Sequence, residues 1–324
     1  MTTRELATTL LVGGYSGDKG SGSGITVLED DQVSTTVPAQ SPSWIARHPE
    51  LPVLYAVEET EHGKVHAWTL ESGRPGRELG SGDTGGAEPA HLTPDPTGRF
   101  LVTANYTGGS ISVHKLGPDG SIGARTDLVT HSQHGESPRQ DTAHPHMVQP
   151  TDDCLLVADL GGDAIYRYQL TPDGQLKPDG IIAAPPGSGP RHIRPAEGRY
   201  YLTAELSGQV LSYDADWQLI SAVPASKSDV PNHPSELVSN GSYLYVANRG
   251  PNTVSVFTLG ADLPWYVTEV EVGDWPRHLA LDENTLYVAN ERSSELTVMR
   301  IDPATGIPRL ERTIGVPSPT VVLP

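Results

Sequence analysis

The chain has 324 residues, with 22 basic and 40 acidic side chains and a formal net charge of −18. This acidity, without any run of Lys and Arg, argues against a nucleic-acid partner. No apolar stretch is long enough to cross a membrane, and residues 1–14 lack the apolar segment of a secretion signal, so we predict a cytoplasmic protein with no membrane partner.

One phrase recurs along the chain and marks a repeating structural unit. Six copies begin at Ser41, Glu88, His144, Gly189, His233 and Trp275. Each holds a Pro, a turn rich in Pro, Asp or Gly, and an apolar run that ends in Ala56, Ala104, Ala158, Ala204, Ala247 or Ala289. These alanines lie 48, 54, 46, 43 and 42 residues apart. A period in the forties, built from short β-like runs, is typical of a β-propeller blade.

The two ends of the chain together supply a seventh copy. SPTVVLP, from Ser318, matches the first strand of a blade, and TTLLVGGY, from Thr8, matches the second. GITVLED, from Gly24, matches the third. Gly13 then takes the place of the repeated alanine, 48 residues beyond Ala289 across the closure and 43 before Ala56. We therefore predict an all-β fold, a seven-bladed β-propeller forming a single domain over residues 1–324, whose termini share one blade and leave no exposed edge.

Two rings of residues are predicted to meet at one mouth of the central channel. The residue after the repeated Pro is Ser43, Ala90, His146, Arg191, Ser235, Arg277 or Thr320. The residue after the repeated alanine is Val57, Asn105, Asp159, Glu205, Asn248 or Asn290, with Gly14 in the closing blade. Four members stand out as a candidate catalytic cluster: His146, Arg191, Glu205 and Arg277. Two guanidinium groups, an imidazole and a carboxylate suit an anionic substrate and proton transfer.

For each of these side chains, the alternative to a catalytic role is a purely structural one. An Arg at this position can neutralise an acid of the next blade, and His146 can be a hydrogen-bonded spacer. Further candidates for substrate binding are His144, Asp159, Asn105, Arg249 and Asn290. For the asparagines the alternative is a local hydrogen bond in a turn or between blades.

The remaining histidines and one long segment can be interpreted from their positions in the repeat. His91, His192 and His278 lie one position further along the first strand, so strand alternation predicts that they point away from the channel and bond a neighbouring strand. No role is predicted for His62, His66, His114, His131 or His134. Residues 126–143 form either a loop over the mouth, with Arg139 as a further anion contact, or an ordinary surface excursion. Cys154 is expected to be a small apolar side chain.

These repeats, with their His, Arg, Glu and Arg pattern, resemble the seven-bladed propeller lactonase family, which includes bacterial 6-phosphogluconolactonase and fungal carboxy-cis,cis-muconate cyclase. The likeness covers the whole chain, in phrases such as TAHPHMVQPTDDCLLVADL, GPRHI and YVANRGPNTVSVF. It implies an active centre at His146 of HPH, Arg191 of GPRH, Glu205 of TAEL and Arg277 of WPRH, with Arg249 of ANRG competing for the last place. The implied reaction is hydrolysis of a small anionic lactone, by default 6-phosphogluconolactone. The two arginines would bind the anion and polarise the carbonyl, and His146 or Glu205 would be the general base.

Other functions stay open at this point, because a fold does not fix its chemistry. They are a lactone-forming cyclase, a different enzyme on the same scaffold, and a non-catalytic binding propeller. The sequence holds no H-E-x-x-H, G-x-S-x-G or C-x-x-C motif, so zinc hydrolysis and a serine nucleophile are disfavoured and no metal or cofactor is expected. The alternative is a calcium site of Asp159, Glu205, Asn248 and Asn290, which the adjacent arginines disfavour.

Overall fold

The structure is a computed structural model that describes residues 9–260 and 263–324. Over these residues, 28 strands form seven four-stranded antiparallel sheets. The first fourteen strands are β1 (Thr9–Gly14), β2 (Gly24–Glu29), β3 (Gln32–Pro38), β4 (Ile45–Arg47), β5 (Val53–Glu58), β6 (Lys64–Glu71), β7 (Arg74–Asp83), β8 (Pro89–Pro94), β9 (Phe100–Asn105), β10 (Ser110–Leu116), β11 (Ile122–Thr130), β12 (Pro145–Pro150), β13 (Leu155–Asp159) and β14 (Ala164–Leu170).

The second half of the chain continues the same pattern. Its strands are β15 (Leu176–Ala183), β16 (Pro190–Ala196), β17 (Arg199–Ala204), β18 (Gln209–Tyr213), β19 (Leu219–Pro224), β20 (His233–Ser239), β21 (Tyr243–Arg249), β22 (Thr253–Thr258), β23 (Trp265–Glu271), β24 (Pro276–Asp282), β25 (Thr285–Asn290), β26 (Glu295–Ile301), β27 (Pro308–Gly315) and β28 (Pro319–Leu323). One turn of 3-10 helix, Gly17–Lys19, follows β1. Among the described residues, no helix is long and apolar enough to span a membrane.

Each sheet is one blade of the propeller. Blades 1 to 6 are β4–β7, β8–β11, β12–β15, β16–β19, β20–β23 and β24–β27. Blade 7 has the order β28-β1-β2-β3, in which Val12 pairs with Val322 and Gly13 with Val321. The predicted closure by both chain ends is therefore confirmed, and so is the seven-bladed fold. Residues 1–8, which carry part of the argument against a secretion signal, lie outside the described residues.

The repeated alanine has a packing role in every blade that contains it. All six alanines lie on the second strand of blades 1 to 6 and are fully buried. Gly13 takes this position in blade 7, where an added Cβ would lie 2.1 Å from the carbonyl oxygen of Pro42. The core is divided into apolar layers between adjacent blades; Val102 and Ile111 of blade 2, for example, pack with Val148 and Val157 of blade 3. Small residues at the repeated position therefore let neighbouring blades approach closely.

A β-bulge interrupts the first strand of most blades near the channel mouth. In blades 2 to 6 the pairing register shifts between Pro89 and His91, Pro145 and Met147, Pro190 and Ile193, Pro234 and Leu237, and Pro276 and His278. A bulge breaks the strict alternation of a strand and re-aims the neighbouring side chains. Two consecutive residues after the proline can then both face the channel.

Candidate active site

A cavity of about 190 Å³ opens at one mouth of the channel. Ten residues line it: Tyr15, Glu59, Glu88, Ala90, Tyr106, Arg139, His146, Glu205, Arg249 and Arg277. His146, Glu205 and Arg277 of the predicted catalytic cluster are thus brought together. The fourth member, Arg191, is not part of the lining and lies against Glu205, at 3.1 Å between Nε and Oε2.

One side of the cavity is lined by Glu205, Arg139 and Arg249, and Arg191 lies against Glu205 outside the lining. We call these four residues the Glu205 wall. Glu205 forms ion pairs with Arg139 (Nη1 to Oε1, 2.6 Å), Arg191 and Arg249 (Nη2 to Oε2, 2.6 Å). Arg191 also donates a hydrogen bond to the carbonyl oxygen of Ser235 at 2.7 Å. This wall therefore holds three guanidinium groups against one carboxylate and presents excess positive charge to a ligand.

The ion pairs of Glu205 decide which proton-transfer role it can take. Burial by itself would raise the pKa of this carboxyl, but Arg249, Arg191 and Arg139 together hold it well below its usual range. A carboxylate in contact with three cations is a very weak base. Of the two predicted general bases, Glu205 is therefore disfavoured, and its ion pairs instead hold three guanidinium groups around it.

The opposite side of the cavity, which we call the Glu59 wall, consists of Tyr15, Glu59, Glu88 and Arg277. The Tyr15 hydroxyl donates a hydrogen bond to Glu59 Oε1 at 2.8 Å and accepts one from Arg277 Nη2 at 2.5 Å. Arg277 also pairs with Glu291 at 3.1 Å. Lys19 contacts both Glu59, at 3.3 Å, and Glu88, at 2.8 Å. Carboxylate and phenol oxygens thus dominate this wall, and they can accept hydrogen bonds from ligand hydroxyl groups.

His146 lines the same cavity and is almost completely buried. Burial, followed by the nearby groups Arg191, His192, Arg277 and Arg249, lowers the pKa of His146 well below its ordinary value. The imidazole is therefore neutral at neutral pH. Its Nδ1 is buried without a hydrogen-bond partner, which leaves Nε2 as the ring nitrogen available to the cavity. A neutral imidazole of this kind can accept a proton from water.

Three of the predicted substrate-binding residues lie inside the blades and not at the cavity. Asn105, Asp159 and Asn290 are fully buried. Asn105 donates to Ser110 Oγ at 3.1 Å, and Asn290 donates to Thr297 Oγ1 at 2.8 Å. This geometry favours the structural alternative for these residues over direct contact with a ligand.

Asp159 instead forms a buried hydrogen bond with His131, at 2.6 Å between Oδ2 and Nδ1. His131, for which the sequence suggested no role, therefore anchors the end of β11 to blade 3. The backbone N–H of His144 also donates to Asp159, at 2.8 Å, and the His144 ring stacks on Tyr106 at 4.6 Å. His144 is thus a support for Tyr106, which lines the cavity.

The geometry does not support the calcium alternative. Glu205 is engaged by three arginines and Asp159 by His131. Asn248 is fully buried, and its Oδ1 accepts a hydrogen bond from Asn232 at 2.8 Å. Among the residues that the structure describes, no group of three or more His, Cys, Asp or Glu side chains is arranged to hold a metal ion.

Comparisons with known proteins agree with this architecture. The family model described as Lactonase, 7-bladed beta-propeller, matches residues 9–324. The chain belongs to this family. It is 31% identical over 333 residues to a 6-phosphogluconolactonase of Formosa agariphila, covering 92% of this chain and 93% of the relative. It is 29% identical over 310 residues to a 6-phosphogluconolactonase of Bacillus subtilis, covering 87% and 86%. The solved periplasmic gluconolactonase PpgL of Pseudomonas aeruginosa superposes with a TM-score of 0.90 at 26% identity, covering 98% of each chain.

Family membership confirms the expectation of a lactonase-type enzyme. The cavity of this lactonase also contains residues that were not predicted from the sequence. Tyr15, Glu59, Glu88 and Tyr106 line the cavity but were not predicted. A readable signal existed two positions after the repeated alanine or glycine. There the repeats carry Glu58, Tyr106, Leu160, Leu206, Arg249, Glu291 and, in blade 7, Tyr15. Tyr15, Tyr106 and Arg249 of this set reach the cavity, and Glu291 pairs with Arg277.

The predicted direction of three other histidines was wrong. His91, His192 and His278 come from blades 2, 4 and 6, yet their rings all lie within 5.4 Å of the Trp44 ring of blade 1. Rings from these four blades can meet only near the channel axis. The bulges in the first strands explain the error, because they break the alternation on which the prediction rested. The expected bonds to neighbouring blades are present, for example from the Val322 N–H to His278 Nδ1 at 3.4 Å.

Proposed function

We propose that this protein hydrolyses an anionic sugar lactone, with 6-phosphogluconolactone as its substrate, at the cavity between the two walls. The observation that carries the proposal is the neutral, buried His146 beside the cationic Glu205 wall in a member of the lactonase family. A base that is free of its proton and a group of guanidiniums that can stabilise an oxyanion are the two requirements of ester hydrolysis by water.

In the proposed reaction His146 Nε2 accepts a proton from a water molecule, and the hydroxide adds to the lactone carbonyl carbon. The developing oxyanion faces Arg249, while Arg191 and Glu205 hold the guanidinium groups of this wall in place. The bond between the carbonyl carbon and the ring oxygen then breaks, and the ring oxygen takes the proton back from His146. The carboxylic acid product releases one proton to solvent.

The two walls also suggest how the sugar is oriented. The hydroxyl groups of the substrate would donate to Glu59 and to other oxygens of the Glu59 wall. The phosphate would lie at the rim, where the Arg139 side chain is 48% exposed. Arg277 is already engaged by Tyr15 and Glu291, so in this arrangement it chiefly fixes the Tyr15 hydroxyl. The cytoplasmic location and the lack of a nucleic-acid partner remain predictions.

A pH-stat assay tests the proposal. Freshly generated 6-phosphogluconolactone, unphosphorylated gluconolactone and a carboxymuconate are each incubated with the folded wild type, with and without a chelator. We expect proton release above the buffer rate for the lactones, highest kcat/KM for the phosphorylated one, and no effect of the chelator.

An Arg191→Ala variant should lose most of this activity. Arg74→Ala should keep it, because Arg74 is an exposed residue on the outer strand of blade 1 that pairs with Glu29 of blade 7. A wild type that does not accelerate hydrolysis of any lactone contradicts the proposal. Conversion of the muconate alone would favour the cyclase alternative instead.

A further inference from the structure

A layer of polar and aromatic side chains lies in the channel next to His146. We call Trp44, His91, His192, Glu236 and His278 the channel layer. The His192 ring contacts the Trp44 ring at 5.4 Å and the His91 ring at 6.0 Å. The His146 ring lies 5.1 Å from the His192 ring, at an angle of 65°. The layer is thus in direct contact with the proposed general base.

Glu236 is the carboxylate of this layer and is fully buried. Its Oε2 lies 2.9 Å from His192 Nδ1 and 3.6 Å from His278 Nε2, and its Oε1 lies 3.9 Å from Arg194 Nη2. An isolated buried carboxylate is costly, so its presence at a position where other blades place His, Met, Trp or Val calls for a reason beyond packing. The contact at 2.9 Å fixes the tautomer of His192 with the proton on Nδ1.

Two buried ring nitrogens beside this contact lack hydrogen-bond partners. They are His192 Nε2 and His146 Nδ1. With its proton on Nδ1, His192 offers Nε2 as an acceptor. His146 needs its own proton on Nδ1 if Nε2 is to act as the base toward the cavity. The two unpartnered atoms are therefore complementary, one a donor and the other an acceptor, on rings whose centroids are 5.1 Å apart.

We propose that His192 and Glu236 are positioning residues for His146, which they hold in the Nδ1–H tautomer and whose positive charge they stabilise during the reaction. The proposal rests on the proposed function. A small rotation of either ring, or one bridging water, would complete the hydrogen bond between them, since catalytic hydrogen bonds in free enzymes are often long. No proton passes to Glu236: the proton taken from water stays on His146 until the ring oxygen receives it.

The charges around His146 show why such support is needed. Arg191, Arg277 and Arg249 all oppose a positive charge on this imidazole, and a protonated His192 would oppose it too. Burial and the nearby arginines keep the pKa of His192 well below its ordinary value, so that ring is neutral. A base in this setting is always unprotonated but weak. The carboxylate of Glu236, acting through His192, offsets part of that repulsion in the way that the aspartate of a catalytic triad supports its histidine.

The direct test is Glu236→Gln, which keeps the shape and an oxygen acceptor for His192 but removes the charge. We expect kcat to fall about 10- to 100-fold with KM changed by less than about twofold, a size typical of general-base support. The acidic limb of the pH–rate profile should also move to lower pH. Glu236→Asp should recover part of kcat. The matched control is His91→Gln, which alters a buried histidine of the same layer and should leave kcat within about twofold.

A kcat of Glu236→Gln within about twofold of wild type would overturn the proposal. Because the variant could lose its fold, a second measurement uses the wild type alone. Long-range ¹H–¹⁵N NMR of the imidazole rings should show the proton on Nδ1 in both His146 and His192. A proton on Nε2 of His192 would overturn the proposal whatever the variant does. A wild type that hydrolyses no lactone would instead contradict the proposed function, and the NMR result would still test the histidine pair.

Discussion

The two walls of the cavity are built from the same kinds of side chain in opposite proportions. On the Glu205 wall, one buried carboxylate holds three guanidinium groups. On the Glu59 wall, one guanidinium, Arg277, is held by the Tyr15 phenol and the Glu291 carboxylate and lies beside Glu59 and Glu88 in the cavity lining. Burial alone would lower the pKa of Arg277, but Tyr15, Glu291 and Glu59 raise it above its ordinary value.

The difference between the walls shows how a strongly acidic chain can bind an anion. With a net charge of −18, the protein as a whole repels anions. The excess cations of the Glu205 wall form a local island that can bind a phosphate or stabilise an oxyanion, while the Glu59 wall suits the hydroxyl groups of a sugar. In the proposed arrangement, a substrate with both kinds of group would bind with its carbonyl toward Arg249.

Among changes to the two walls, removing a cation from the Glu205 wall should have the largest effect. In Arg249→Met the developing oxyanion loses its facing guanidinium, and Glu205 loses one of its three partners. We expect kcat to fall about 10²- to 10³-fold, the cost of removing one oxyanion donor. Steady-state kinetics with 6-phosphogluconolactone measures this. Arg249→Lys, which keeps the charge but not the planar fork, should lose less, and equal activity of Arg249→Met and wild type would show that the wall does not serve the oxyanion.

A matching change on the Glu59 wall should affect binding more than turnover. Glu59→Gln keeps the size of the side chain but weakens its hydrogen bonds to Tyr15 and to a substrate hydroxyl. We expect KM to rise about tenfold, the equivalent of one hydrogen bond of about 1.4 kcal/mol, with kcat nearly unchanged. Glu58→Gln is the control, because Glu58 pairs with His66 outside the cavity. A fall in kcat at constant KM would argue against this division of roles.

A smaller effect is expected at the rim of the Glu205 wall. Arg139 is half exposed, and it bonds both Glu205 and the Tyr106 hydroxyl. Its loss in Arg139→Ala should raise KM for the phosphorylated lactone about fivefold, because one charge-assisted contact disappears in a solvated setting. KM for unphosphorylated gluconolactone should stay the same. An equal change in KM for both substrates would show that Arg139 does not contact the phosphate.

The smallest change is expected in the pH dependence near neutrality. Burial and the cations of both walls lower the pKa of His146, so the base is already unprotonated at pH 6.5, where an ordinary imidazole is half protonated. Lowering the pH from 8 to 6.5 should therefore change kcat/KM by less than about twofold, and the acidic limb should lie below pH 6.5. A limb centred at 6.5 or above would contradict a neutral, desolvated His146.

Most of the fold could be predicted from the sequence, because the repeat forces one structural unit to recur. The repeated alanine marks the close contact between blades, and Gly13 marks the same contact where the two chain ends meet. The spacing across the closure was enough to count seven blades. Each unit is local in sequence, so no long-range pairing had to be guessed apart from β28 with β1.

The site was predicted less completely, for physical reasons that can be named. His146, Glu205 and Arg277, which line the cavity, were singled out because they depart from the repeat at positions near the mouth. Tyr15 and Tyr106 were missed because only one position after each alanine was considered. The inward direction of His192 was missed because a bulge leaves no clear signature in sequence. The ion pair of Arg139 with Glu205 depends on the path of a loop, which no periodicity describes.

The central claim is that His146 in this cavity is the base of a lactonase. The most direct test compares His146→Gln with His114→Gln, which changes a histidine of β10 that is also buried but lies outside the cavity. Both are assayed for 6-phosphogluconolactone hydrolysis in the pH-stat beside wild type. The account predicts that kcat falls about 10²- to 10⁴-fold in His146→Gln and stays near wild type in His114→Gln. Full activity in a folded His146→Gln protein would contradict it.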